Sequence, residues 1–145
     1  MLEMIVVMGI FALVGGTALF VSMETFHGSN FRSDRNLLAA ALQHARAQSM
    51  NNMCLGAGCA DGKPHGVKIL PDNSIVLFQG ASYATRDASV DSVFHLNIAA
   101  ATGANEIVFS QLSGASVATT VSVTDQAGHV STMTISSEGR IAWTH

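Results

Sequence analysis

The sequence opens with MLEMIVVMGIFALVGGTALFVSM (residues 1–23), in which a single acid, Glu3, precedes a long apolar run. Residues 4–23 carry no charged side chain. A helix over this run is about 30 Å long, which matches the hydrocarbon core of a bilayer. The run is longer than the apolar part of a cleaved signal peptide, and no basic residue precedes it. It therefore predicts a membrane-inserted helix.

Two features of this segment suggest a function beyond anchoring. A carboxylate at membrane depth is costly unless it lies near the interface or is paired. Because the first base in the sequence is the distant Arg32, Glu3 is expected either in the headgroup layer or beside a base on another chain. Gly15 and Gly16 interrupt the run midway. They favour either close helix packing or a point where the helix can unwind.

The composition of the chain argues against several classes of function. Of its 145 residues, seven are Lys or Arg and ten are Asp or Glu, which gives a net charge of −3. A general nucleic-acid binder normally carries a basic patch or stripe, whereas these bases are scattered. The six histidines form no zinc-protease pattern, and the sequence has neither a nucleophile elbow nor a phosphate-binding loop. We therefore expect no enzyme activity, no metal and no cofactor.

The two cysteines, Cys54 and Cys59, stand in the short stretch CLGAGC. Such a loop can close into a disulfide in an oxidising compartment, with a stabilisation of about 2 kcal/mol. Free thiols are the second interpretation. Metal binding together with His65 is the third, although the spacing is a poor zinc pattern. The pattern favours the disulfide and leaves all three interpretations open.

The rest of the chain changes from helical to strand periodicity. Residues 31–53 predict an amphipathic helix, and Ser33 and Asp34 either cap it or lie within one continuous helix. From residue 66 the period is two, and His95 is expected to be a strand histidine hydrogen-bonded to a neighbour. Turns are predicted at 71–73 and 126–129. Strands are predicted within residues 66–70, 74–78, 93–98, 106–112, 119–125, 130–136 and 140–143.

These segments together predict an α+β fold. It consists of a long membrane-inserted N-terminal helix over residues 1–23 and a globular domain over residues 24–145. That domain contains the amphipathic helix and, over residues 66–145, a small antiparallel, sandwich-like β-sheet.

The stretch LEMIVVMGIFALV resembles the N terminus of type IV pilins and pseudopilins, where an acid likewise precedes an apolar run. The phrases LLAAALQHARAQSM, EIVFS and ISSEGRI resemble the GspH/FimT-type pseudopilins, which supports a pilin-like plan. The resemblance implies that Glu3 pairs with the N-terminal amine of a neighbouring subunit. It also implies that Gly15 and Gly16 mark where the helix loosens during assembly.

The same resemblance implies a structural function. The chain is expected to be a minor pseudopilin of a type II secretion system or, alternatively, a minor pilin of a type IV pilus. Its expected partners are other pilin or pseudopilin subunits, the inner membrane before assembly, and the assembly platform. The expected location is the bacterial inner membrane, with a single pass and a periplasmic domain, and then the filament.

DNA capture is the function that the resemblance supports least. Some family members bind DNA through a Gly-Arg-x-Arg element, and the matching stretch here is Gly139-Arg140-Ile141-Ala142. Since Arg140 is its one arginine and the chain is acidic, phosphate neutralisation would be weak. We expect DNA to be an unlikely partner.

Overall fold

The computed structural model describes residues 2–57 and 59–144, apart from the side chains of residues 2, 3, 5, 14, 15 and 17–29. It divides into two compact units, Met1–Ser33 and Asp34–His145.

A single helix, α1, runs from Leu2 to Met50. The interpretation in which the helix continues through Ser33 and Asp34 is therefore the observed one. The carboxylate of Asp34 does not cap a helix but accepts a hydrogen bond from the Asn97 N–H at 2.9 Å. In the second unit the helix buries residues at i, i+3, i+4 and i+7, the spacing of one helical face. These residues are Leu38, Ala41, Leu42 and Ala45.

Within residues 51–57 and 59–144, eight strands and two short 3₁₀ helices follow α1. The 3₁₀ helices are Tyr83–Thr85 and Ala88–Val90. The strands are β1 His65–Ile69, β2 Ser74–Gln79, β3 Ser92–His95, β4 Ala100–Gly103, β5 Glu106–Phe109, β6 Thr119–Thr124, β7 Val130–Ile135 and β8 Ile141–Thr144. Every described strand except β4 overlaps a run that the sequence predicts.

The strands form two antiparallel four-stranded sheets. Sheet 1 has the order β3-β2-β1-β5, and sheet 2 has the order β4-β6-β7-β8. The chain therefore leaves sheet 1 after β3, pairs β4 with β6 in sheet 2, and returns to pair β5 with β1 in sheet 1. It then crosses again to complete sheet 2.

The core of sheet 1 consists of side chains that the strand register aligns in rows. His65 of β1 lies opposite Gln79 of β2 and Phe109 of β5, and Val67 lies opposite Leu77 and Ile107. All six are buried, because alternate residues of a strand point to the same face. Sheet 2 buries one face only, through Val121, Val123, Ser131, Met133 and Ile135.

The other face of sheet 1 is covered by the segment that contains the first 3₁₀ helix. The Phe78 ring lies over Gly66, where a Cβ atom would meet the ring at 2.7 Å. The Tyr83 ring packs edge-on against Phe78 with centroids 5.6 Å apart, and the Arg86 guanidinium stacks on Tyr83 at 3.7 Å. Every residue of β2 is therefore buried.

The structure corrects the predicted fold class and location. A membrane helix needs about 20 consecutive apolar residues. In the part of the chain that the structure describes, no helix combines the length and the apolar character needed to cross a membrane. The strands also form two sheets rather than one small sheet. The predicted membrane-inserted helix with a single sheet is therefore wrong, as is the single-pass inner-membrane location.

Candidate assembly surface and other predicted sites

The first unit displays large apolar side chains on its helix. Met4, Met8 and Phe11 are 71 %, 75 % and 74 % exposed. They lie at i, i+4 and i+7, so they share one face of α1. Val6 and Ile10, also more than half exposed, lie on another side of the helix. The described side chains of this segment thus present apolar surface in more than one direction.

This exposure is energetically significant. Each Å² of apolar surface removed from water contributes about 25 cal/mol, and a helix that is apolar on all sides is normally buried. The exposed side chains from Met4 to Phe11 are therefore suited to packing against other helices. We call this stretch, residues 4–11, the N-terminal apolar segment.

The predicted assembly residues lie at or near this segment. Glu3 and Gly15 belong to α1, but the Glu3 side chain and the surroundings of Gly15 lie outside what the structure describes. Gly16 is exposed, and a Cβ atom built there would have no neighbour within 4 Å. No contact within the described chain therefore requires glycine at position 16.

Cys54 and Cys59 form a disulfide, with their Cα atoms 5.7 Å apart. The loop that it closes is also held by Gln79, which is buried in β2. The Gln79 Oε1 accepts from the Leu55 N–H at 2.6 Å, and its Nε2 donates to the Leu55 carbonyl at 3.2 Å. A side-chain amide thus pairs with the backbone of this loop as a neighbouring strand would.

His65, the third candidate metal ligand, lies next to Gln79 in the sheet and is buried. Neither ring nitrogen has a hydrogen-bond partner among the described residues. Burial lowers the pKa of His65; the nearby Lys63 backbone and Gln79 side chain oppose this shift in part, and the charge of His44 adds a smaller lowering contribution. Within residues 2–57 and 59–144, no three His, Cys, Asp or Glu residues are placed to hold a metal ion.

His95 fulfils the prediction of a hydrogen-bonded strand histidine. It lies in β3 opposite Ser74, and its Nδ1 is 2.8 Å from the Ser74 Oγ. Asp72 accepts from the Ser74 N–H at 3.1 Å, and hydrogen bonding to the backbone and side chain of Ser74 lowers the Asp72 pKa. The serine stands between the acid and the histidine, whereas a catalytic triad needs the histidine in the middle. Asp72 and Ser74 thus stabilise the β1–β2 turn, and His95 links the end of β3 to the start of β2.

Arg140 is exposed and directly precedes β8. The glycine before it, Gly139, has φ +74°, and a Cβ atom there would overlap the Gly114 carbonyl oxygen. The glycine of the Gly-Arg pair is thus required by the backbone. Sequence reasoning missed Arg46, which lies on α1 and lines a groove together with Arg140. No spacing signal links two arginines so far apart in the chain.

Comparison of the chain with protein-family models, curated proteins and solved structures finds no match.

Proposed function

We propose that this chain is a structural subunit of a filament, a minor pseudopilin of a type II secretion system, that assembles through its N-terminal helix. The observation that carries the proposal is the N-terminal apolar segment, in which Met4, Met8 and Phe11 are exposed on one face of α1. Packing against helices of other subunits would remove this surface from water. A minor pilin of a type IV pilus would use the same packing and is the alternative.

Glu3 supplies specificity in this proposal. Apolar packing between helices is weakly directional, whereas an acid shielded from water needs a particular partner. A basic group of a neighbouring subunit, such as its N-terminal amine, would satisfy this carboxylate and fix the position of one helix along the next. The proposed partners are thus other subunits of the filament and its assembly platform.

Glu3→Ala tests the proposal in the full chain. We expect incorporation into filaments sheared from cells to fall about tenfold or more, because loss of one partner of a shielded ion pair costs several kcal/mol. Asp61→Ala, which removes an exposed carboxylate from the second unit, serves as the matched control and should assemble like the unaltered chain. Quantitative immunoblotting of the sheared fraction gives the measurement.

Near-ultraviolet circular dichroism separates an assembly defect from a folding defect, since Trp143 and Tyr83 both lie in the second unit. The spectrum should be the same for both variants. Incorporation of Glu3→Ala at the level of the unaltered chain would show that the carboxylate has no function in assembly.

A further inference from the structure

A groove on the second unit lies between α1 and the turn that joins β7 to β8. Its volume is about 280 Å³. Its lining includes the apolar residues Ala47, Met50 and Ile141 and the polar or cationic residues Gln43, Arg46 and Arg140. We call it the Arg46–Arg140 groove. None of its residues belongs to the N-terminal apolar segment.

Arg46 is held in place by two backbone carbonyls. Its Nε donates to the Gly114 carbonyl at 3.3 Å, and its Nη2 donates to the Glu138 carbonyl at 3.2 Å. A guanidinium has five N–H donors, and the others have no hydrogen-bond partner within the described chain. Arg46 is therefore a cation held in a fixed position that still has free N–H donors. Because the side chain is already ordered, the entropic cost of binding an anion is lower.

Arg140 has a fixed backbone and a free side chain. Its N–H donates to the Ser136 Oγ at 3.1 Å, and its carbonyl accepts from the Ser136 N–H at 2.9 Å. The exposed guanidinium makes no hydrogen bond or ion pair with any residue that the structure describes. It can therefore reach a ligand over the groove without breaking a hydrogen bond or an ion pair.

Glu138 is the acid nearest to these cations along the chain, but its carboxylate forms no salt bridge with either arginine among the described residues. Its carboxylate accepts a hydrogen bond from the Ser137 hydroxyl at 2.8 Å. Hydrogen bonds from Ser136 and Ser137 lower the Glu138 pKa, with a smaller contribution from the charge of Arg140.

We propose that the Arg46–Arg140 groove binds a peptide segment of a partner protein in which carboxylates flank an apolar side chain. Arginine pairs with carboxylates through two parallel hydrogen bonds, and the exposed Met50 is an adaptable apolar contact. Charge complementarity selects this occupant, because the two arginines lack an acidic partner in the described chain. Duplex DNA fits less well, since two arginines neutralise few phosphates and the chain carries a net charge of −3.

The test uses the full chain and a fluorescein-labelled probe, Gly-Gly-Glu-Leu-Glu-amide, in fluorescence anisotropy. The control peptide has Gln in place of both Glu residues. We expect the acidic peptide to bind and the Gln peptide to bind about tenfold more weakly, as expected for loss of a charge-assisted hydrogen bond. Arg140→Gln should weaken the acidic peptide about tenfold, and Arg140→Lys should weaken it less.

Lys63→Gln is the matched control, because it removes the same charge from an exposed position that does not line the groove. Its affinity should equal that of the unaltered chain. Because the exposed Arg140 guanidinium makes no hydrogen bond or ion pair with the described residues, Arg140→Gln should retain the near-ultraviolet spectrum. Equal binding of the two peptides, or no effect of Arg140→Gln, would overturn the proposal. So would Arg140-dependent binding of a 20-base-pair duplex without binding of the acidic peptide.

Discussion

Gly139 shows how one residue can be fixed by two constraints at once. Its φ of +74° is a conformation that side chains with a Cβ atom rarely adopt. A methyl group at this position would also overlap the Gly114 carbonyl and press on the Arg46 Nε at 2.9 Å. Gly128 shares the positive φ, at +87°, but has no atom within 4 Å of its Cβ position. A substitution at Gly128 therefore introduces backbone strain alone, whereas one at Gly139 introduces both backbone strain and steric crowding.

This difference predicts unequal costs for the same substitution. Gly128→Ala should lower the free energy of unfolding by about 1–2 kcal/mol, the cost of a left-handed conformation for a residue with a Cβ atom. Gly139→Ala should lower it by at least about 1 kcal/mol more, because a neighbour must also move. Urea denaturation followed by circular dichroism measures both. Equal midpoints for the two variants would contradict the crowding argument.

The structure around a single residue was predictable from sequence only where it depends on residues close by in the chain. The short spacing of Cys54 and Cys59 indicated the bridge as one interpretation, and alternation placed His95 in a strand. The Gly139-Arg140 pair was noted as a family-like element, yet nothing in the sequence shows that the glycine is required by a distant carbonyl. Burial of His65 was not predicted either, because it depends on which strands pair with β1.

The attachment of α1 to sheet 1 depends on Ser49. Its Oγ accepts from the His65 N–H at 2.8 Å and donates to the Phe109 carbonyl at 3.0 Å. Its own carbonyl accepts from the Leu112 N–H at 2.9 Å. One buried residue near the end of the helix thus joins β1, β5 and the segment after β5.

Ser49→Ala should therefore destabilise the fold. We expect a loss of about 1–3 kcal/mol, because the buried His65 N–H would lose its acceptor. Ser33→Ala is the matched control, since Ser33 is an exposed serine of the same helix. It should change the free energy of unfolding by less than about 0.5 kcal/mol. Thermal unfolding measures the difference, and equal transition temperatures would refute the importance of the Ser49 hydroxyl.

Most strands were predictable because their sequences alternate. TTVSVT places Val121 and Val123 on one buried face, and VSTMTI does the same with Met133 and Ile135, as a sheet with one exposed face requires. β4 was missed because its sequence, AATG, has little β-propensity and no alternation. It is a strand because it pairs with β6, and such pairing depends on residues far along the chain.

The assignment of strands to sheets makes the second unit a cooperative whole. Since β4 and β5 belong to opposite sheets, the chain crosses between the sheets three times from β3 to β6. Neither sheet consists of one continuous segment. If the two sheets separated in a partly unfolded state, either β4 would lose its pairing with β6 or β5 would lose its pairing with β1.

The chain carries one natural reporter for each sheet. The Tyr83 ring packs on Phe78 of sheet 1, and Trp143 belongs to β8 of sheet 2 beneath the Arg35 guanidinium at 4.5 Å. We expect Tyr83 dichroism and Trp143 fluorescence to give the same urea midpoint, as a two-state transition requires. Midpoints that differ beyond error would show that the sheets unfold independently.

The arrangement of the whole molecule was the least accessible from sequence. The change in period predicted helix first and strands afterwards, but periodicity carries no information on which strands pair. The length of the first apolar run suggested a membrane helix, and the structure does not bear this out. The approach of Arg46 and Arg140 across the groove likewise required the assembled unit.

The weak strand character of β4 has a consequence during synthesis. The chain leaves the ribosome from its N terminus at about 5–20 residues per second, so β4 waits roughly one to four seconds before β6 follows. A strongly apolar strand left without a partner is a template for aggregation. AATG has no large apolar side chain and ends in glycine. The same composition that makes β4 hard to predict from sequence thus lowers the tendency of the nascent chain to aggregate until β6 emerges.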